Sequence, residues 1–231
     1  MKVGKRSARY VTNTYEITDA YKKILIDAKE GNVKIEASSD DSTKLVLFED
    51  KKRPYVFDVQ NGTLTVHLRK TKWYNFLRIG FKRSEIRIYV PKSILEELSV
   101  KSTVGSVEIS SIVCKGDIDI QTNTGKANIY DILCNAFNSK ANTGSIILNK
   151  LIAADRVSIK RNTGSVSLND CNAREFLVKT NTGGVFGKLP SNTVFVVKTN
   201  TGKIEIPKVT IGESINTMCE IRTHTGNIRF E

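Results

Sequence analysis

The chain has 231 residues, enough for one large domain or two small ones, and for a core that needs neither disulfide nor metal to hold it. Its 36 lysines and arginines outnumber 24 acids, a formal charge of +12 that favours anionic partners and leaves the fold open. No run approaches the roughly 18 apolar residues of a membrane-spanning helix, the N-terminus lacks the apolar stretch of a signal peptide, and the four cysteines show neither a CxxC pair nor a histidine at metal-ligand spacing, so no metal or cofactor is expected.

Residues 1–19 form a lead segment. In the next twenty residues, 20–39, ILIDAKEGNVKIEAS alternates around Gly31 and sets Ile24, Ile26, Val33 and Ile35 on one face of two strands. Three strand-like runs follow, KLVLFED, YVFDVQNGTLTVHL and SEIRIYVP, and Asn61-Gly62 between alternating strands is a strong hairpin signal. Residues 40–92 are therefore expected to be an antiparallel insertion capping one end of the molecule, since an open end of a strand stack is an unpaired edge. Within the insertion, RKTKWYNFLRIGFKR sets Lys72, Arg78, Lys82 and Arg83 among Trp73, Tyr74, Phe76, Leu77 and Phe81. Cations beside aromatics suit a foothold on acidic lipid. The same residues suit a lid over the end of the stack, or a contact with a second copy.

From 93 to 231 the chain repeats. Asn-Thr-Gly occurs at 123–125, 142–144, 162–164, 181–183 and 200–202, and the glycines from Gly105 to Gly226 are 19 or 20 residues apart except for a last step of 24. A short fixed period marks a solenoid. Alternation on both sides of the glycine gives two short strands per coil, and parity points the same columns inward each time. Seven before the glycine stand Leu98, Ile118, Phe137, Val157, Phe176, Phe195 and Cys219; two after it stand Val107, Ala127, Ile146, Val166, Val185, Ile204 and Ile228. Parallel stacking sets like on like about 4.8 Å apart. The corner pairs Asn123 and Gly125, Asn142 and Gly144, Asn162 and Gly164, Asn181 and Gly183, and Asn200 and Gly202 read as architecture: glycine supplies the close backbone approach and asparagine an amide ladder. The last strand reaches Phe230, and its edge is expected to be open to self-association with another copy. Residues 20–231 thus read as a single solenoid domain.

These features resemble the bacterial putative-adhesin β-solenoid family, known mostly as a domain of unknown function. The likeness rests on the recurring TxTGxVxL unit, here TNTGKIEI at 199–206 and NTGSVSLNDCNA at 162–173. It also rests on an N-terminal order of YKKILIDAKEGNVKIEAS, a charged hairpin, an aromatic loop and IRIYVPK. The resemblance implies an all-β, right-handed single-stranded parallel β-helix of 19–20 residues per coil. It also implies a place on the extracytoplasmic face of the cell envelope, since relatives are often tethered behind a membrane helix or linked with envelope-stress responses. With no apolar anchor expected from these residues, a cytoplasmic location is the alternative.

Chemistry is sparse. There is no GxSxG, phosphate-binding Gly-Lys loop or HExxH, and His67 and His224 are far apart. Asp131 and Asp170 share an offset but stand two coils apart with Lys150 between them, a scattered acidic surface and no acid/base pair. Cys114 and Cys134 share the offset nine after the glycine and could bridge adjacent coils; Ala153 and Ala173 at the same offset read them instead as small apolar residues. On the outward face, four residues before the glycine, stand Lys101, Gln121, Lys140, Lys160, Lys179, Lys198 and Arg222. Like charges on neighbouring strands repel, so the file points to a polyanion, while side chains fanning into water explain it as well. The expected function is a noncatalytic, envelope-associated scaffold or adhesin-like module binding anionic lipid or cell-wall polymer through the basic file and the aromatic loop. A nucleic-acid-binding module, which lacks a recognised motif here, and a glycan lyase or hydrolase are the alternatives.

Overall fold

The computed structural model describes residues 9–69, 84–92, 95–207 and 217–231. Among these the chain is all-β, with nineteen strands and no helix, and the strands belong to one mixed sheet that turns corners.

A middle coil shows how the sequence builds it. Strand β10 (Ile118–Thr124) pairs in parallel with β11 (Ala127–Thr143), and β11 with β12 (Ile146–Thr163). Ile118 lies opposite Phe137, and Phe137 opposite Val157, so residues one repeat apart become neighbours. The inward columns are sealed: Leu98, Ile118, Phe137, Val157 and Phe176 are 0 % exposed. The coils approach so closely at the corner that a Cβ on Gly144 would stand 1.8 Å from the Gly125 carbonyl oxygen. No other residue fits there.

Each middle coil also turns a second time. Ser111, Asp131, Lys150 and Asp170, each six residues beyond a corner glycine, adopt left-handed φ values of 51–56°. Past them a short third side begins, where Ile132, Leu133 and Cys134 pair with Leu151, Ile152 and Ala153. Two strands per coil were expected; a three-residue run beyond a non-glycine corner is too short to show a period. Cys114, Cys134, Ala153 and Ala173 are all buried in one column, and the four cysteines of the chain are free.

Stacking order departs from chain order at both ends. At one end β2 (Lys23–Asp27) lies between β6 (Thr63–Leu68) and β8 (Glu97–Val104), and β3 (Asn32–Ala37) between β7 (Glu85–Val90) and β9 (Val107–Val113). The coil of residues 20–39 is thus internal, and β6 with β7 forms a further parallel coil outside it. Only β4 (Thr43–Asp50) and β5 (Tyr55–Gln60) run antiparallel to that outer coil, with β1 (Tyr10–Ile17) pairing antiparallel to β4. The expected antiparallel insertion is therefore half parallel. Asn61 and Gly62, at φ 50° and 70°, make the hairpin turn between β5 and β6.

At the other end β18 (Thr217–Thr225) enters between β14 (Glu175–Thr182) and β16 (Thr193–Thr201). Strand β19 (Ile228–Phe230) likewise enters between β15 (Val185–Lys188) and β17 (Ile204–Glu205). The last coil in sequence is the penultimate coil in space. This corrects the expectation of an open edge at Phe230: that ring is 4 % exposed and lies 5.0 Å from Phe195. The outermost coil is 193–206, and among the described residues β16 and β17 are paired on one side only. Its position explains why Ile204, inward by parity, is 43 % exposed and why Phe195 and Val197 are only partly buried. The step of 24 residues between Gly202 and Gly226 spans the return past this outer coil.

Candidate functional site: a basic groove along the glycine corner

A groove of about 930 Å³ runs along the stack beside the corner glycines. Its first bank is the basic file, whose spatial order is Lys101, Gln121, Lys140, Lys160, Lys179, Arg222, Lys198. Insertion of the last coil sets Arg222 between Lys179 and Lys198. Five cations from Lys140 to Lys198 therefore follow one another without a break, over about 19 Å at about 4.8 Å per strand. Beyond Lys101 the file ends at Asp27, which pairs with Lys29 at 3.0 Å. Arg222 pairs with Glu220 at 2.6 Å, and among the described residues the five lysines of the file form no ion pair.

The second bank is the corner asparagine file. Asn142 Nδ2 donates to Asn123 Oδ1 at 3.0 Å, Asn181 Nδ2 to Asn162 Oδ1 at 2.9 Å, and Asn200 Nδ2 lies 3.0 Å from His224 Nδ1. The imidazole takes an amide's place in the inserted coil. These bonds lock side chains of adjacent coils together and leave amide groups facing the groove.

Between the banks lies a floor of Ser102, Thr122, Ala141, Arg161, Thr180 and Thr223. Two threonines there bind the corner backbone of the neighbouring coil: Thr180 Oγ1 donates to the Gly164 carbonyl at 3.3 Å and Thr223 Oγ1 to that of Gly183 at 3.2 Å. Arg161 departs from this pattern. It is 4 % exposed; Nη2 donates to Ser139 Oγ at 2.8 Å, while Nε and Nη1 have no partner. Burial pushes its pKa down to about 10. Ser139 and Ala141, on the preceding coil, are the smallest residues of their inward columns and make room for it. Reading the sequence for outward cations passed over Arg161, because its parity is inward. The available signal was an arginine in a threonine column beside two undersized neighbours.

The remaining candidates fall elsewhere. Lys72, Trp73, Tyr74, Phe76, Leu77, Arg78, Phe81, Lys82 and Arg83 lie outside the described residues. Their segment joins β6 to β7, and Ser84 at its end stacks on the corner of Gly31, where a Cβ would meet the Ser84 oxygen at 2.6 Å. His67 lies opposite Asp27 at that same end, far along the stack from His224. Among the described residues no three metal-ligating side chains gather.

No curated protein matches the chain. Solved structures resemble it over nearly its whole length. A putative adhesin from Bacteroides fragilis NCTC 9343 shares 20 % identity at a TM-score of 0.61, covering 97 % of this chain and 98 % of its own. A putative adhesin from Parabacteroides distasonis ATCC 8503 shares 13 % identity at a TM-score of 0.53, again over 97 % and 98 %. At such identities the likeness is one of fold. A family model, described as Toastrack DUF4097, matches residues 21–231, and the chain belongs to that family.

Proposed function

We propose that the chain is a noncatalytic, adhesin-like module of the cell envelope, built on a right-handed single-stranded β-helix, whose groove binds an anionic wall polymer. The observation that carries this reading is the unbroken run of Lys140, Lys160, Lys179, Arg222 and Lys198 along one bank, with a carboxylate partner, among the described residues, for Arg222 alone. Holding like charges on adjacent strands costs about a few tenths of a kcal/mol per pair, which a polyanion laid along the file reverses. Each rung adds one weak contact, and the contacts multiply along the chain that makes them. A groove admits a polymer strand more readily than a flat bilayer, and the opposite bank of amides offers hydrogen bonds to sugar hydroxyls.

Two features weigh against the alternatives. Among the described residues Asp27, at the end of the groove, is its only carboxylate, whereas cleaving a glycan asks for two groups flanking the bond. Among the described residues no phenylalanine, tyrosine or tryptophan lines the groove, and single-stranded nucleic acid binds to stacking platforms. The segment at 72–83 adds a foothold on acidic lipid. Unchanged emission from Trp73, the only tryptophan, on adding anionic vesicles would remove it from the reading.

The test is titration with a heparin oligosaccharide, with neutral dextran as control. Changing Lys140, Lys160, Lys179 and Lys198 together to serine is expected to weaken heparin binding at least 100-fold and to flatten its salt dependence. Equal binding by the parent and this variant refutes the groove. Tighter binding to single-stranded DNA than to heparin of the same charge moves the function to nucleic acid.

A further inference from the structure

The inserted coil changes the second bank of the groove as well as the first. Asn123, Asn142, Asn162, Asn181 and Asn200 carry the corner file, and the inserted coil puts His224 among them. Imidazole is the side chain whose charge ordinarily changes between pH 5 and 8, and among the described residues His224 is the one histidine that lines the groove. Register sets it between Asn181 on β14 and Asn200 on β16. The charged residues that face it from these strands are cations: Lys179 on β14, Lys198 on β16 and Arg222 two places back on β18. Glu220, the carboxylate of β18, is bound by Arg222 at 2.6 Å, and Glu175 stands at the far end of β14, opposite Met218.

The ring can take a second proton without disturbing the rest of the amide ladder. Asn200 Nδ2 lies 3.0 Å from His224 Nδ1, so in this arrangement the amide donates and the imidazole is neutral, with its proton on Nε2. Protonation makes Nδ1 a donor, and the amide must then present Oδ1. Asn200 is able to turn. It stands on the outermost coil, and among the described residues its Oδ1 has no other hydrogen bond. Asn162 could not turn as easily, because its Oδ1 already accepts from Asn181.

Resting on the reading of the groove as a polyanion site, we infer that His224 is a proton-controlled contact of that site, so that the groove holds an anionic polymer more tightly in acid than in alkali. A neutral ring offers one N–H, much like the amides it replaces. A charged ring offers a charge-assisted donor to a sulfate, phosphate or carboxylate oxygen. A polymer lying between the banks then meets cations on both sides, at the place where Lys179, Arg222 and Lys198 follow one another. Proton and polymer favour each other's binding by the same factor in either direction.

Calorimetric titration with a heparin oligosaccharide at pH 8 and pH 5.5, at one sodium chloride concentration, tests the inference. The parent is expected to bind about tenfold more tightly at pH 5.5, the effect of one added charge-assisted contact. It should also take up protons as it binds, read from the dependence of the heat on the buffer. His224→Asn, which restores the corner's usual residue, should lose both the gain and the proton uptake. His224→Lys, charged at both pH values, should bind at pH 8 as tightly as the parent does at pH 5.5. His67→Asn alters the chain's other histidine and should keep the gain. An equal gain in the parent and in His224→Asn overturns the inference, as does no gain in the parent.

The four-lysine variant separates this inference from the one beneath it. If that variant loses heparin at pH 8 while the parent gains nothing in acid, the groove stands and the proton control falls. If it binds heparin like the parent, the groove reading falls. A gain in acid that adding His224→Asn abolishes would then keep the imidazole as a contact, and a gain that survives this change would remove both.

Discussion

Replacing Gly144 by alanine is expected to destabilise the protein by about 4 kcal/mol, a large share of the roughly 5–15 kcal/mol that holds a domain folded. Gly144 has φ 135°, and an added Cβ would lie 1.8 Å from the Gly125 oxygen and 2.6 Å from its carbonyl carbon. Both are backbone atoms of the adjacent coil, whose Gly125 N–H is tied to the Thr143 carbonyl, so no side chain can swing aside. Forcing an alanine into such a φ costs about 1–3 kcal/mol, and relieving the overlap by parting two packed coils costs about 1–3 kcal/mol more. Gly62 supplies the control: its φ is 70°, but nothing lies within 4 Å of an added Cβ, so Gly62→Ala should cost only about 1–2 kcal/mol. Urea unfolding followed by circular dichroism measures both. If Gly144→Ala is no more destabilised than Gly62→Ala, close approach of the coils is not what the corner glycines serve.

Stacking order can be read by cross-linking. Lys179 and Arg222 are register partners about 4.8 Å apart, within reach of a disulfide, whereas Lys179 and Lys198 are two strands apart at about 9.6 Å. Lys179→Cys with Arg222→Cys should close on mild oxidation and Lys179→Cys with Lys198→Cys should not; the opposite outcome on a nonreducing gel would restore chain order. The native thiols provide a further check. Burial raises Cys134 and Cys219 to about 12 and Cys114 and Cys171 to about 11, so at pH 8 a thiol reagent should label the folded protein slowly and all four cysteines in urea. Because the unfolded chain gives up these protons near the ordinary value of 9.0 and the folded chain keeps them, stability should fall as pH rises above 9. Cys134→Ala should lessen that fall, and an unchanged alkaline slope would contradict it.

Much of the coil was legible because period and parity act together. Ile118, Phe137 and Val157 are buried for the reason their spacing gave, and Asn142 meets Asn123 because the same offset recurs. The order of the coils was not legible, and the cause lies in the repetition itself. Around the inserted coil the outward residues are Lys179, Arg222 and Lys198, and the floor residues Thr180, Thr223 and Thr199. Any of these can stand beside any other, so local pattern does not choose between neighbours. Phe230 does choose: it fills the space against Phe195 that Gly187 leaves empty on the other side. At Arg161 the column pattern was broken in plain view, yet its meaning depended on Ser139, which becomes its neighbour only once the coils are stacked.

The intercalated last coil also bears on how the molecule comes into being during translation. A nascent chain can lay down its coils as they emerge only as far as β14 and β15, because the next coil to appear belongs one place further out. Until β18 and β19 arrive, residues 193–206 have no correct neighbour to dock on, though a wrong one with matching side chains stands ready in β14 and β15. Completion of the stack therefore awaits β18 and β19, which set the place of the outer coil. A chain lacking β18 and β19 would leave either a vacant slot or an outer coil docked on β14 and β15 in their place.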